Sequence, residues 1–162
     1  MDVRKEACGL GLAALMLAMG AWSCGRGSEE EGDAEESHEE QTLSAFELEH
    51  GIGPVKEKVE LGALDPALAD RGKAAFQTKC SMCHKMDTTY VGPPLGEVTV
   101  RRTPAFIMNM ILNPQEMVER HPVAKQLLAE RMTFMPNQQV TPEEARALLE
   151  YLRTQAGGAP RQ

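Results

Sequence analysis

Cys80-Ser81-Met82-Cys83-His84 is the stretch that decides how this chain is read. It has the C-x-x-C-H spacing of a covalent c-type haem attachment. Two thiols at that separation reach the two vinyl groups on one edge of a porphyrin. The adjacent His then lies under the iron as its proximal ligand. The cofactor expected from this stretch is a single covalently bound haem c on Cys80 and Cys83, with His84 on the metal.

Other uses of a C-x-x-C pair need company that the sequence does not supply. A thioredoxin-like redox pair sits in a strand–helix–strand pattern, and no such alternation surrounds Cys80. A structural zinc site takes about four Cys or His ligands in paired clusters. The remaining cysteines are Cys8 and Cys24, both near the N-terminus, and His38, His50 and His121 form no second pair.

Residues 1–23 have the pattern of a bacterial export signal. Arg4 and Lys5 precede a short apolar core from Ala7 to Ala21, too short and wrongly flanked for a membrane span. Cys24 follows Ala21-Trp22-Ser23. That is the pattern of a lipoprotein signal, whose cysteine is acylated and becomes the mature N-terminus, with Trp22 as its awkward member. Ordinary cleavage nearby, leaving Cys24 a free thiol, is the alternative. Export suits a c-type haem, which bacteria attach outside the cytoplasmic membrane. The expected location is the periplasmic or cell-surface side, anchored to a membrane through Cys24.

Residues 24–60 read as an acidic flexible linker. Glu29, Glu30, Glu31, Asp33, Glu35, Glu36, Glu39 and Glu40 crowd among Gly and Ser, with too little apolar surface to fold. Such a chain reaches roughly 30 Å. The net charge of −7 belongs to this segment. From Leu61 onward twelve basic residues stand against ten acidic ones, about +2. A nucleic-acid-binding domain would carry a basic stripe, and none is present.

Residues 61–158 form one domain. Aromatic residues make up only 4% of the chain, so a large apolar prosthetic group would supply much of the core. Asp65 and Pro66 start a helix that runs to about Thr78, with Leu68, Gly72 and Phe76 on one face. Thr103 and Pro104 start a second, closed at Asn113-Pro114, and Pro122 to about Arg131 makes a third. Thr141-Pro142-Glu143-Glu144 is a capping-box start for a last helix to about Gln155, followed by Gly157-Gly158. The segment Thr88 to Glu97 reads as loop. No strand is needed, and the expected fold class is all-α, about four helices around one haem.

The far face of the iron needs a second ligand. Of ten methionines, Met82 and Met86 lie too close to the attachment cysteines, and Met108, Met110 and Met117 read as packing residues. Met132 and Met135 stand in the loop before the last helix, far enough along the chain to wrap round the haem edge. Met135 is followed by Pro136, which stiffens the loop, so Met135 is the expected ligand and Met132 the reserve. His121 is the competing ligand type; its place before Pro122 at a helix start predicts a surface position instead.

Taken in order, these pieces resemble class I cytochrome c: Gly72-x-x-x-Phe76, the C-x-x-C-H stretch, Gly92-Pro93-Pro94-Leu95, Met135-Pro136, and a last helix carrying Tyr151. The resemblance implies the small cytochrome c fold, with first and last helices crossing at Gly72, Phe76 and Tyr151. It implies that the Pro93 carbonyl accepts the His84 Nδ1–H, which fixes the ring and raises its basicity. A looser likeness is to small bacterial cytochromes that serve respiratory reductases and oxidases.

With His84 and Met135 both on the iron, no position is open to substrate. The expected role is that of a monomeric one-electron carrier in a bacterial respiratory chain, not an enzyme. Its partners would be a membrane-bound redox donor and a terminal reductase or oxidase, with Lys79 and Lys85 placed to steer an acidic surface. A haem enzyme or gas sensor, with a displaceable sixth ligand, is the alternative. A haem-free thiol oxidoreductase is a third.

Overall fold

Proline punctuates this protein: Pro66, Pro104, Pro114, Pro122 and Pro142 each stand in the first turn of a helix, where a missing N–H costs nothing. The computed structural model describes residues 42–156. Among them are seven helices and no strand. They are α1 (Ala45–His50), α2 (Pro66–Lys79), α3 (Val98–Arg101), α4 (Pro104–Leu112), α5 (Pro114–Arg120), α6 (Pro122–Arg131) and α7 (Pro142–Gln155). The expected export signal, Cys24 and the acidic run lie outside the described residues.

Helix starts are capped by side chains that the sequence puts in place. Asp65 accepts from the Leu68 N–H at 3.0 Å and Thr103 from the Phe106 N–H at 3.2 Å. Thr141 and Glu144 form a reciprocal capping box on α7. Helices α2 and α7 make the principal crossing. Gly72 permits it, because a Cβ there would overlap the Ala147 carbonyl oxygen. One turn on, Phe76 and Tyr151 meet with ring centroids 5.4 Å apart. Glu150 closes the same junction. It is fully buried, yet accepts from Arg146, from Arg153 at 2.7 Å and from the Asp65 N–H at 2.9 Å. Burial raises its pKa, but those donors outweigh burial and hold the carboxyl below its ordinary value.

The linker reading extends too far along the chain. Residues 45–60 are α1 and a strap laid against the domain. Ser44 and Glu47 form a capping box on α1. The buried Asn109 of α4 then grips the strap: its Nδ2 donates to the His50 and Val55 carbonyls at 3.0 Å, and its Oδ1 accepts from the Val55 N–H at 2.9 Å. Ile52 is buried, and Val55, Val59 and Leu61 pack against the α4–α7 core. The acidic run hid a sparse apolar pattern that begins at Leu43, whose signal was the Ser44-x-x-Glu47 start.

His121 is the second correction. It is buried, not at the surface. Its Nδ1 accepts from the Val123 N–H at 3.2 Å, capping α6, and its Nε2–H donates to the Leu48 carbonyl of α1 at 3.2 Å. The ring meets Phe106 edge to face at 5.2 Å. A histidine ahead of a helix-starting proline caps as a serine would, and α1 covers it.

The buried apolar residues fall into two clusters. One gathers Phe76, Ile107, Ile111, Leu148, Leu149 and Leu152 around α2, α4 and α7. The other gathers Ile52, Phe106, Met117 and Ala124 around α4, α5 and α6. Members of both line a single cavity.

Candidate haem site

The attachment turn grows out of the end of α2. The Cys80 N–H donates to the Phe76 carbonyl, and both Cys83 and His84 donate back to the Cys80 carbonyl, at 3.0 and 2.9 Å. Residues 92–96 then run beside the turn, with Gly92 bonded to the Cys83 carbonyl, Leu95 to Lys85 and Gly96 to Met86. This pairing brings the Pro93 oxygen to 3.0 Å from His84 Nδ1. The ring N–H therefore donates to Pro93, and Nε2 is the unprotonated nitrogen, the form that ligates metal. Burial lowers the His84 pKa, against the Pro93 hydrogen bond, which raises it. Gly92 lies flat on the imidazole; a Cβ there would collide with the ring. Arg101 donates to the neighbouring Pro94 carbonyl at 2.9 Å, which is what the short α3 achieves.

The cavity holds about 540 Å³. Cys80, Cys83, His84 and Pro93 lie on one wall, with Ile107, Ile111 and Leu148 beside them. The α6 helix and the loop after it complete the lining, through Leu127, Leu128, Phe134 and Met135. Met132 does not line the cavity. It ends α6 in a left-handed conformation, φ 52°, and is 86% exposed. His121 is held between α1 and Phe106 and is not among the lining residues. Met110 and Arg131 do line the cavity, and sequence reasoning missed both. Met110 was indistinguishable from its buried neighbour Met108 on an apolar helix, and Arg131 read as a helix-end cation.

The two lysines beside the motif are not free. Lys79 pairs with Glu144 at 2.9 Å and reaches the Gln139 carbonyl at 3.4 Å, tying the attachment turn to the start of α7. Lys85 donates to the Ser81 carbonyl at 2.9 Å and sits 5.1 Å over the Tyr90 ring. Burial pushes the Cys80 thiol up to about 11, Cys83 adding to the rise and Lys79 opposing it. A thiol–disulfide exchange cysteine needs the opposite shift, a thiolate near neutral pH.

The Cytochrome c family model matches residues 69–156, from within α2 to the end of α7. The chain belongs to the cytochrome c family. A solved cytochrome c from Rhodothermus marinus superposes with a TM-score of 0.66 at 48% identity, over 70% of this chain and 97% of that one. An engineered form of it, bound to a carbene intermediate, superposes at 0.62 with 49% identity, over 68% and 96%. The cytochrome c-553-like protein of Synechocystis sp. is 32% identical over 53% of this chain and 68% of its own length. Cytochrome c-551 of Stutzerimonas stutzeri is 50% identical over a shorter stretch, 24% of this chain and 38% of its own.

As a cytochrome c the chain is a mono-haem electron carrier with covalently attached haem c, and Cys80 and Cys83 stand as the attachment pair. The cavity fits that group. It is apolar over most of its surface, and among the described residues its only charged lining groups are the cations Lys79, Arg101, Arg102 and Arg131. Haem is likewise an apolar macrocycle whose ionisable substituents are two carboxylates.

Proposed function

We propose that this cytochrome c carries single electrons in a bacterial respiratory chain outside the cytoplasmic membrane, with its iron held between His84 and Met135. The observation that carries the ligand assignment is that His84, with Nδ1 given to Pro93, and Met135 line one cavity while Met132 and His121 do not; Met110 lines it too, but from within α4, beside Ile107 and Ile111 of the packed core. When bound, haem c supplies the one-electron ferrous–ferric couple. His84 is oriented by Pro93 and Gly92 before any metal chemistry begins. A Met135 thioether favours ferrous iron and raises the potential relative to a second histidine. Neither ligand has to change between the two states, so little reorganisation accompanies transfer.

Location and partners follow from the sequence at the N-terminus. Arg4, Lys5 and the apolar core support export, and Cys24 supports a lipid anchor. A tethered monomer shares a membrane with its donor and with a terminal reductase or oxidase, which raises their effective concentration.

A second reading, a displaceable sixth ligand, draws on the engineered Rhodothermus marinus relative that carries a carbene intermediate. Met135→Ala separates the two. In a carrier, the substitution lowers the midpoint potential and newly opens the reduced iron to carbon monoxide. A variant spectrum identical to that of the native protein contradicts Met135 as ligand. The anchor is tested by Cys24→Ser, which is expected to move the protein from the membrane to the soluble fraction; retention on membranes would argue for an uncleaved signal instead.

A further inference from the structure

The four cations on the cavity wall are not equivalent. Lys79 is paired with Glu144, Arg101 with the Pro94 carbonyl, and Arg102 lies 5.1 Å over the Phe106 ring. Arg131 differs. Its Nε is buried and makes no hydrogen bond. A guanidinium N–H withdrawn from water requires an acceptor, and among the described residues no aspartate or glutamate lines this cavity. The acceptors that the family's cofactor brings are its propionate oxygens, since its ring nitrogens are taken by the iron.

Arg131 also occupies a mechanical position. It is the last residue of α6, and Met135 follows four residues later. Among the described residues, no hydrogen bond joins residues 133–138 to any other element; the loop's first outside tie is Lys79 to the Gln139 carbonyl. Met132 and Gln139, at the two ends, both have positive φ, 52° and 51°. A short loop turned sharply at both ends and tied at one end needs a tie at the other.

We propose that Arg131 clamps a haem propionate through Nε–H, and that this clamp holds the start of the Met135 loop against the cofactor. The inference rests on haem c filling the cavity and, for its effect on the iron, on Met135 being the sixth ligand. Arg131 is then a positioning residue. The cation near the porphyrin favours the reduced state, which carries one positive charge fewer, and the fork fixes where the loop begins.

The test uses haem-loaded protein. In ¹⁵N-labelled native protein, the Arg131 Nε–H is expected to exchange slowly and to show a nuclear Overhauser contact with a propionate methylene. In Arg131→Gln the midpoint potential falls, and exogenous imidazole displaces the sixth ligand about tenfold faster or more, as loss of a charge-assisted hydrogen bond requires. Arg131→Lys, which keeps the charge, retains most of the potential. A native Nε–H that exchanges freely and shows no propionate contact overturns the clamp. So does Arg131→Gln with native potential and displacement rate. If the Gln variant takes up no haem, the native contact decides alone. The native spectrum keeps the failures apart: an open iron together with the Arg131–propionate contact rejects Met135 as ligand and upholds the clamp.

Discussion

The wall that carries Cys80, Cys83 and His84 and the wall that carries Met135 are held by different means. On the first, every element is locked at close range. The attachment turn bonds back onto α2, residues 92–96 pair beside it, Gly92 lies on the imidazole, and Gly72 lets α7 close behind. The second is a helix and a loop. Helix α6 is fastened at its start by His121, and the loop at its end by Lys79 and Gln139. The hydrogen bonds of the first wall join residues close in sequence, from Phe76 to Gly96. The other depends on long-range contacts, from Leu48 of α1 and from Lys79. For an electron carrier the difference is apt: the covalent side fixes geometry, while on the proposed Met135 ligation the other side is where potential and ligand exchange are set.

The largest expected effect breaks the rigid wall from behind. Gly72→Val drives a side chain into the Ala147 carbonyl and the Tyr151 Cβ, and no flexible tip is available to yield. A loss of about 4 kcal/mol or more follows, read as a drop in the denaturation midpoint of the haem-loaded protein. A native midpoint would mean that the α2–α7 crossing is looser than its geometry.

Next comes the strap. Asn109→Leu strands the His50 and Val55 carbonyls and the Val55 N–H, at a cost of about 3 kcal/mol. Faster amide hydrogen exchange should be concentrated at Gly51–Val55, while the reduced α-band stays put. If the α-band moves instead, the two walls are coupled through α4 and the contrast between them fails.

The smallest effect is a pH dependence on the α6 side. Burial holds the His121 pKa below its ordinary 6.5, with Arg102 adding to the shift and the Leu48 and Glu47 carbonyls opposing it. The unfolded chain therefore takes up a proton that the native ring refuses. Stability from this residue is full above about 6.5, and it is lost as pH falls below that toward the depressed native value. Denaturation of native protein and His121→Gln across this range should show a steeper decline for the native chain. Parallel curves would mean that the ring titrates as in water.

The contrast between the walls also explains what was legible in the sequence. The helices at Pro66, Pro104, Pro122 and Pro142 were readable because cap, proline and apolar period coincide within a few residues. Cys80, Cys83 and His84 were readable because their chemistry demands fixed local spacing, and Pro93 only through the resemblance to class I cytochrome c. The strap was lost under the charge of its neighbours; its hold on the domain comes through Asn109, more than fifty residues away. His121 and Arg131 were missed for a related reason. Each has an ordinary local role, helix cap or helix-end cation, and a second role that only tertiary contact reveals. Helix α5 followed so closely on α4 that Asn113-Pro114 read as an end, when it is also a beginning.

The central claim is an iron closed on both faces, by His84 and by Met135. Its most direct test is the optical spectrum of the native protein, purified with haem attached, recorded oxidised and then reduced with and without carbon monoxide. His/Met ligation predicts the weak far-red band of a thioether-bound ferric iron, a sharp reduced α-band, and no response to carbon monoxide. A high-spin spectrum that shifts with carbon monoxide would contradict it and show a sixth position open to ligands.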